Sequence, residues 1–352
     1  MSFPASVGDA ATTILRGLLT PDSLVPPCYI ASVGEPPTQQ MQCMEVWGGS
    51  QLTARGVEFG GLDAWVYSKP HGQAQRGGDV YYASSCGTGR ITRLLLADVS
   101  GHGNAVAATA ADLRTLMRRF VNRLDQTEFV SLLNRRFAEM SVGGTFATAI
   151  VTTFFSPSCR LAVCNAGHPR TLLYSATRSQ WILLSHEEAT GSNLLNTPLG
   201  IIAMAEYEQF DVELKPGDCL ICYTDALIES NDADGEMLGE AGLLKIVRLL
   251  TAPDGGALDA PQRLAERLLE EIGARYPDNL TDDDVTVLVV RANGRALRYS
   301  TGDKLRALGR LARSLVRALI PGTERPPLPD WNLANLGGAI IPALARRWRA
   351  KS

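Results

Sequence analysis

The sequence lacks the features that would direct the chain into or across a membrane. No apolar run is long enough to span a bilayer, and the N-terminus has no basic start followed by an apolar stretch. The seven cysteines are odd in number and have no framework spacing, which disfavours a disulfide scaffold. A net charge of only −3 argues against general affinity for nucleic acid. We therefore expect a soluble, cytoplasmic protein with reduced thiols and no nucleic-acid partner.

Histidine is scarce, and no cluster of His and Cys has the spacing of a metal site. Cys219 and Cys222 form a CxxC pair, but their apolar segment has the pattern of a strand, in which residues three apart face opposite sides. A thiolate zinc or redox site is therefore disfavoured. The sequence instead has aspartates at the ends of predicted strands: Asp79, Asp98, Asp225 and the run 282–284.

The most specific pattern is a predicted β-hairpin whose connection, residues 86–89, contains two glycines. A turn centred near Gly87 and Thr88 places Asp79 opposite Leu96 or Ala97, next to Asp98 in the partner strand. Adjacent carboxylates repel each other unless a proton or a cation lies between them. We predict that this hairpin delivers two carboxylates to a ligand site. The alternative is that both are solvated strand ends.

The rest of the pattern predicts an α+β fold of antiparallel sheets with helices on their outer faces. Two further hairpins are predicted, at 145–165 and at 210–223, the second around Lys215-Pro216-Gly217. Apolar residues at helical spacing predict helices near 104–123, 128–140, 241–250 and 261–274.

Aspartates without histidine or cysteine are hard oxygen ligands, which favour Mg²⁺ or Mn²⁺ over zinc. Four strand-end carboxylates could hold two such ions. Two ions of this kind can activate a water for attack on a phosphoryl group.

Eight motifs then occur in order along the chain: Gly77-Gly-Asp-Val-Tyr-Tyr82, Ala97-Asp-Val-Ser-Gly-His-Gly103, Asn165-Ala-Gly-His-Pro169, Pro198-Leu-Gly200, Pro216-Gly-Asp218, Tyr223-Thr-Asp-Ala-Leu-Ile-Glu229, Gly235-Glu-Met-Leu-Gly239 and Asp283-Asp-Val-Thr286. Together they closely resemble the SpoIIE/RsbU-like branch of the metal-dependent (PPM) serine/threonine phosphatases. The resemblance covers about residues 45–291.

The resemblance implies a central antiparallel β-sandwich flanked by helix pairs, with two Mn²⁺ or Mg²⁺ ions in a cleft at one end. Asp98 would bridge both ions, and Asp79 would hold the second together with the carbonyl of Val99. Asp225 and Asp283 would complete the first. Water activated by the two metals would hydrolyse phosphoserine or phosphothreonine without a phospho-enzyme.

The resemblance also implies a partner, because the family's usual substrates are phosphorylated anti-anti-sigma (STAS) regulators in partner-switching pathways. Relatives often dimerise, so a homodimer is a further expectation. His102 is a candidate proton donor to the leaving serine oxygen. The alternative for His102 is that it braces the loop after Asp98.

Two alternative functions are open at this point. Cys164 and Arg170 have the Cys-x5-Arg spacing of a cysteine-nucleophile phosphatase. That loop needs a helix after the arginine, whereas the residues from Thr171 onward have the pattern of a strand. The other alternative is a catalytically silent phosphatase-like interaction module.

The predicted domains are an N-terminal extension (1–43), a phosphatase domain (44–292) and a C-terminal tail (293–352). From Arg291 onward the chain has 13 Lys and Arg residues against three acidic ones. Leucines and arginines of 303–320 fall on different faces of a predicted helix. This tail is expected either to pack on the phosphatase domain or to bind an anionic surface.

Overall fold

The computed structural model describes residues 39–41, 46–86, 89–101, 104–121, 123, 125–141, 144–185, 195–252, 258, 260–276 and 279–295. Its strands are β1 (Gln39–Gln40), β2 (Val46–Gly49), β3 (Thr53–Phe59), β4 (Leu62–Lys69), β5 (Val80–Cys86), β6 (Ile91–Val99), β7 (Ala147–Phe155), β8 (Arg160–Ala166), β9 (Leu172–Ser175), β10 (Gln180–Leu183), β11 (Phe210–Glu213), β12 (Cys219–Tyr223) and β13 (Val285–Ala292). Its helices are α1 (Asn104–Phe120), α2 (Gln126–Met140), α3 (Gly239–Leu250), α4 (Pro261–Arg275) and α5 (Asn279–Asp282).

The described strands form two sheets. One has the order β1-β3-β4-β13-β12-β9-β10, and the other has the order β11-β8-β7-β6-β5-β2. Every strand pair in them is antiparallel except β1 with β3, which is parallel. The α+β class predicted from the sequence is therefore confirmed.

Alternation of side chains along each strand builds three apolar layers. On β6, Leu94 and Leu96 face the other sheet, whereas Leu95 and Ala97 face α1 and α2. On the seven-stranded sheet, Val287 and its outward-facing neighbours pack with α3 and α4. Two sheets back to back, each covered by one helix pair, give the α-β-β-α arrangement that the family resemblance implies.

The two predicted hairpins of the second half have different outcomes. The first is confirmed, because β7 pairs with β8 through a 3-10 turn at Ser156–Ser158. The second is wrong, because β11 pairs with β8 in the six-stranded sheet, whereas β12 pairs with β9 and β13 in the other. Leu214 is fully buried between the sheets. The segment around Pro216 therefore carries the chain from one sheet to the other.

None of the described helices is long and apolar enough to cross a membrane. Most of the predicted N-terminal extension and nearly all of the basic tail, including the predicted helix at 303–320, lie outside the described residues. The two boundaries between the three predicted domains therefore stay predictions.

Candidate active site

The β5–β6 hairpin supplies the first two aspartates. The strands pair Val80 with Ala97 and Cys86 with Ile91, so Asp79 falls across from Asp98. The register predicted from the sequence is therefore wrong by one to two residues. The last pair before the turn is Cys86 with Ile91, so the turn is centred between residues 88 and 89 and not near Gly87 and Thr88. The correction brings the two carboxylates directly opposite each other at the open end of the hairpin.

The β12–β13 pair supplies the acids of the other sheet. Antiparallel pairing places the end of β12 beside the start of β13, and the backbone N–H of Thr224 donates to the carbonyl of Thr286 at 3.1 Å. Asp225 follows Thr224 and begins a 3-10 turn, Asp225–Leu227. Asp283 lies two residues before β13. Strand ends of both sheets thus carry carboxylates to the same end of the sandwich.

A hydrogen bond joins the two halves of this site. The Thr224 hydroxyl, at the end of β12, donates to Oδ2 of Asp79, before β5, at 3.0 Å. Asp79 is only 3% exposed, and no described residue offers a hydrogen bond to its other oxygen, Oδ1. A buried carboxylate oxygen without a partner is costly unless a cation or another polar group meets it.

The acids of the site raise one another's pKa. Burial, followed by the charge of Asp98, raises the pKa of Asp79 well above its usual value. Burial and then the charges of Asp225 and Asp283 raise the pKa of Asp98 to about 8. The pKa of Asp225 rises to about 6, because of burial and then the charges of Glu229 and Asp283. The cleft therefore concentrates negative charge that only protons or cations can offset.

The backbone between β4 and β5 is held against this cleft by Asp284. Its buried carboxylate accepts the backbone N–H groups of His71 and Gly78, each at 2.6 Å. A Cβ on Gly77 would collide with this carboxylate, and one on Gly78 would lie 2.9 Å from the carbonyl oxygen of Val99. Glycine is therefore required where the Val99 carbonyl approaches.

Asp283 and Asp284 are neighbours in sequence with different surroundings. Both oxygens of Asp284 accept backbone N–H groups, as described above, and its charge acts on Asp98 and Asp79. Asp283 is partly exposed, and its charge acts on Asp98 and Asp225. One Asp283 oxygen accepts the backbone N–H of Asp284 at 2.7 Å. This arrangement favours Asp283 over Asp284 as the metal ligand.

Sequence reasoning assigned no role to Glu229, which the structure places at the rim of the cleft. Its side chain is exposed, and its charge raises the pKa of both Asp98 and Asp225. Its backbone N–H donates to the carbonyl of Asp225 at 2.8 Å. The spacing of four residues after Asp225, which is one helical turn, is a signal that could have identified it.

Of the other candidates from the sequence, Cys164 and Arg170 lie outside this cluster of acids. Cys164 is buried in β8, where desolvation raises its thiol pKa to about 12. Arg170 binds Glu240 through both its backbone N–H and its Nε, at 2.9 and 2.7 Å, and the strand β9 follows it, as the sequence predicted. The phosphate loop of a cysteine phosphatase is therefore not formed. His102 lies outside the described residues.

The donor set fits divalent cations that prefer oxygen. Within the described part of the chain, no group of three or more His, Cys, Asp or Glu side chains is arranged so that it could hold a metal ion. Mg²⁺ commonly takes one or two carboxylates and completes its shell with water, so a full protein cage is not required. The unpaired Oδ1 of Asp79 and the carbonyl of Val99 are oxygen donors of the required kind.

Such a sandwich, with carboxylates gathered at one end, is the architecture of the PPM, or PP2C, phosphatases. A family model described as Stage II sporulation protein E (SpoIIE) matches residues 88–293, more than half of the chain. The chain belongs to this family, in the SpoIIE/RsbU-like branch of the PPM phosphatases.

Solved structures share the fold. The RsbU and RsbW domains of Rv1364c from Mycobacterium tuberculosis match with a TM-score of 0.55 and 24% identity, over 76% of this chain and 71% of that one. The SiaA PP2C domain of Pseudomonas aeruginosa matches with a TM-score of 0.52 and 17% identity, over 65% of this chain and 84% of that one. RsbX in complex with magnesium matches with a TM-score of 0.50 and 15% identity, over 68% of this chain and 99% of that one.

Proposed function

We propose that the protein is a metal-dependent serine/threonine phosphatase that acts on a small phosphorylated regulator of the STAS type. The observation that carries this proposal is the meeting of strand-end carboxylates from both sheets at one end of the sandwich. Their charges raise one another's pKa, and one buried carboxylate oxygen has no described partner. Membership of the SpoIIE family supports the same reaction class.

The proposed metal ligands are the side chains of Asp79, Asp98, Asp225 and Asp283 and the carbonyl of Val99. Asp98 would bridge two ions, Asp79 and Val99 would serve one of them, and Asp225 and Asp283 the other. Two Mn²⁺ or Mg²⁺ ions bound here would supply Lewis-acid stabilisation of the phosphoryl oxygens and lower the pKa of water. RsbX, which shares the fold, was solved in complex with magnesium.

The protein's own residues explain why cations are needed for substrate binding. A phosphate monoester is an anion, and the carboxylates of the cleft would repel it if no cation offset their charge. The attacking group that we propose is water. Cys164 is unsuited to that role because it is buried and its thiol stays protonated near neutral pH. We propose His102 as the group that would return a proton to the leaving serine oxygen.

The proposed partner is a phosphoprotein in a partner-switching pathway. A solved structure with this fold combines an RsbU domain with an RsbW domain, which supports a regulatory protein as the partner. We also propose a cytoplasmic location and a homodimer, following the family resemblance.

The proposal is tested by phosphate release from a phosphoserine peptide and from p-nitrophenyl phosphate. We expect no turnover after exhaustive treatment with EDTA, and recovery when Mn²⁺ or Mg²⁺ is added in excess. Activity that survives complete chelation would reject the two-metal proposal. Saturable Mn²⁺ binding without hydrolysis of either substrate would instead favour the silent interaction module.

A further inference from the structure

Thr224 lies at the junction of the two sheets, between β12 and Asp225, and its side chain is fully buried. Its hydroxyl oxygen accepts the backbone N–H of Thr286 at 2.9 Å. The hydroxyl has one proton to give, and the nearest acceptors are Oδ2 of Asp79 at 3.0 Å and the carbonyl of Thr286 at 3.4 Å. The shorter bond, to the carboxyl group of Asp79, is the stronger of the two, and it is charge-assisted when that group is ionised.

This bond helps to set the orientation of the Asp79 carboxylate, on which the side chain of Thr286 also acts through a hydrogen bond. Asp79 is buried, and within the residues that the structure covers Oδ2 receives the Thr224 hydroxyl while Oδ1 receives no hydrogen bond. A carboxylate can rotate about its Cβ–Cγ bond, so the bond to one oxygen directs the other. Since Asp79 and Thr224 belong to different sheets, the same bond also links the two groups of acids across the sandwich.

We infer that Thr224 is a positioning residue for the metal centre, which holds the Asp79 carboxylate so that Oδ1 is free to bind a divalent cation. The inference rests on the proposed function, since it needs Asp79 to be a ligand. Partners that orient metal ligands through hydrogen bonds commonly change metal affinity by about 10–100-fold when they are removed. Thr224 has the features of such a partner: a buried hydroxyl, a fixed acceptor role and one proton directed at the ligand.

The test is Mn²⁺ binding to the full-length, metal-free protein, measured by calorimetry in the absence of substrate. Thr224→Val keeps the shape of the side chain and removes the hydroxyl, and we expect it to weaken binding by about 10–100-fold. Thr224→Ser keeps the hydroxyl, and we expect a dissociation constant within about threefold of wild type. A loss caused only by altered packing would follow the methyl group and would be larger in Thr224→Ser.

Thr153→Val is the matched control. Thr153, on β7, is likewise a buried threonine, and its hydroxyl lies between Nε of Arg93 and Oε1 of Gln126, at 3.1 and 2.6 Å. It belongs to a network outside the carboxylate cleft. We expect Thr153→Val to lower the melting temperature but to leave the Mn²⁺ dissociation constant unchanged.

Three outcomes separate the possibilities. Wild-type affinity in Thr224→Val would overturn the inference while leaving the proposed function intact. Absence of saturable Mn²⁺ binding by the wild type would overturn the proposed function, and the inference with it. If Thr224→Val does not fold, Thr224→Cys replaces it, because a thiol is a weak donor of similar size. Wild-type affinity in Thr224→Cys would then overturn the inference, and weakened binding would support it.

Discussion

At the scale of single residues, Asp98 is the acid whose pKa is raised by the largest number of other acids in the site. The charges of Asp225, Asp283, Asp284 and Glu229 all raise its pKa, in addition to burial. Asp98 therefore lies where the negative charge of the cleft is concentrated, and it is also the residue that we propose as the bridging ligand.

Asp98→Asn is expected to lower phosphatase activity by at least about 100-fold, and added Mn²⁺ should not restore it. Asp79→Asn should chiefly raise the Mn²⁺ concentration needed for half-maximal activity, because we assign Asp79 to one ion only. Activity is measured across a Mn²⁺ titration. Asp234→Asn, in an exposed loop, is the control and should behave as wild type. Near-wild-type activity of Asp98→Asn would show that the cleft is wrongly assigned.

A second residue-scale prediction separates two phosphatase chemistries. Cys164 is buried and its thiol pKa is about 12, so little thiolate exists at pH 7. We expect Cys164→Ser to keep kcat/KM within about threefold of wild type, measured on protein shown to be folded. A loss of several orders of magnitude, with a phosphocysteine trapped in the wild type, would support the cysteine mechanism instead.

At the scale of elements, a buried arginine joins the six-stranded sheet to the helix pair that covers it. Arg93 on β6 donates to the carbonyls of Val121 and Arg123, after α1, at 3.0 and 2.7 Å. Its Nε donates to Thr153 on β7, and its guanidinium lies 4.5 Å from the ring centre of Phe129 on α2. One side chain therefore contacts the connection between the helices, one helix and a strand.

Arg93→Met should lower the free energy of unfolding by about 2–4 kcal/mol, because it removes charge-assisted hydrogen bonds and leaves their partners unpaired. Arg135→Met is the matched control, since Arg135 is exposed on α2, and its effect should be within about 0.5 kcal/mol. Urea unfolding of the wild type and of the two variants measures both changes in the free energy of unfolding. Equal stability of the two variants would show that the Arg93 contacts contribute nothing to folding.

The connection between β11 and β12 is an element whose path the sequence does not reveal. The turn residues Lys215-Pro216-Gly217 fit a hairpin, yet β11 and β12 lie in different sheets. A tight turn looks the same in sequence whether the next strand pairs back or crosses to another sheet. Which strand pairs with which depends on contacts between residues that are far apart in the sequence, such as those of β12 with β13.

At the scale of the whole molecule, charge is distributed unevenly along the chain. The acidic cleft is part of the described domain, whereas the basic residues concentrate from Arg291 onward. Leucines and arginines of the tail segment 303–320 occupy different faces of a predicted helix. The tail can thus pack on the domain through its leucines or bind an anionic surface through its arginines.

We expect the leucine face to pack on the domain, so that a truncation ending near Asn293 lowers the melting temperature, by about 2–4 °C for each kcal/mol lost. Calorimetric melting of both proteins measures this. Sedimentation with anionic vesicles tests the other possibility, since each basic residue at such a surface contributes about 1 kcal/mol. Pelleting of the full-length protein alone, reversed by salt, with an unchanged melting temperature would reject packing in favour of membrane binding.

The sequence by itself determined the local features of this protein and its family. Alternating and helical spacings located most strands and helices, and aspartates at strand ends indicated the candidate ligands, because both patterns depend on near neighbours in the chain. Asp79, Asp98, Asp225 and the run 282–284 were identified as candidates in this way, and the family resemblance selected Asp283 within the run.

Only the tertiary structure decided how these acids are related to one another. It set the register that places Asp79 across from Asp98, distinguished Asp283 from Asp284, and brought Thr224 to Asp79 over 145 residues of chain. Contacts of this kind form when two sheets pack face to face, and no pattern of neighbouring residues records which side chains will meet across them.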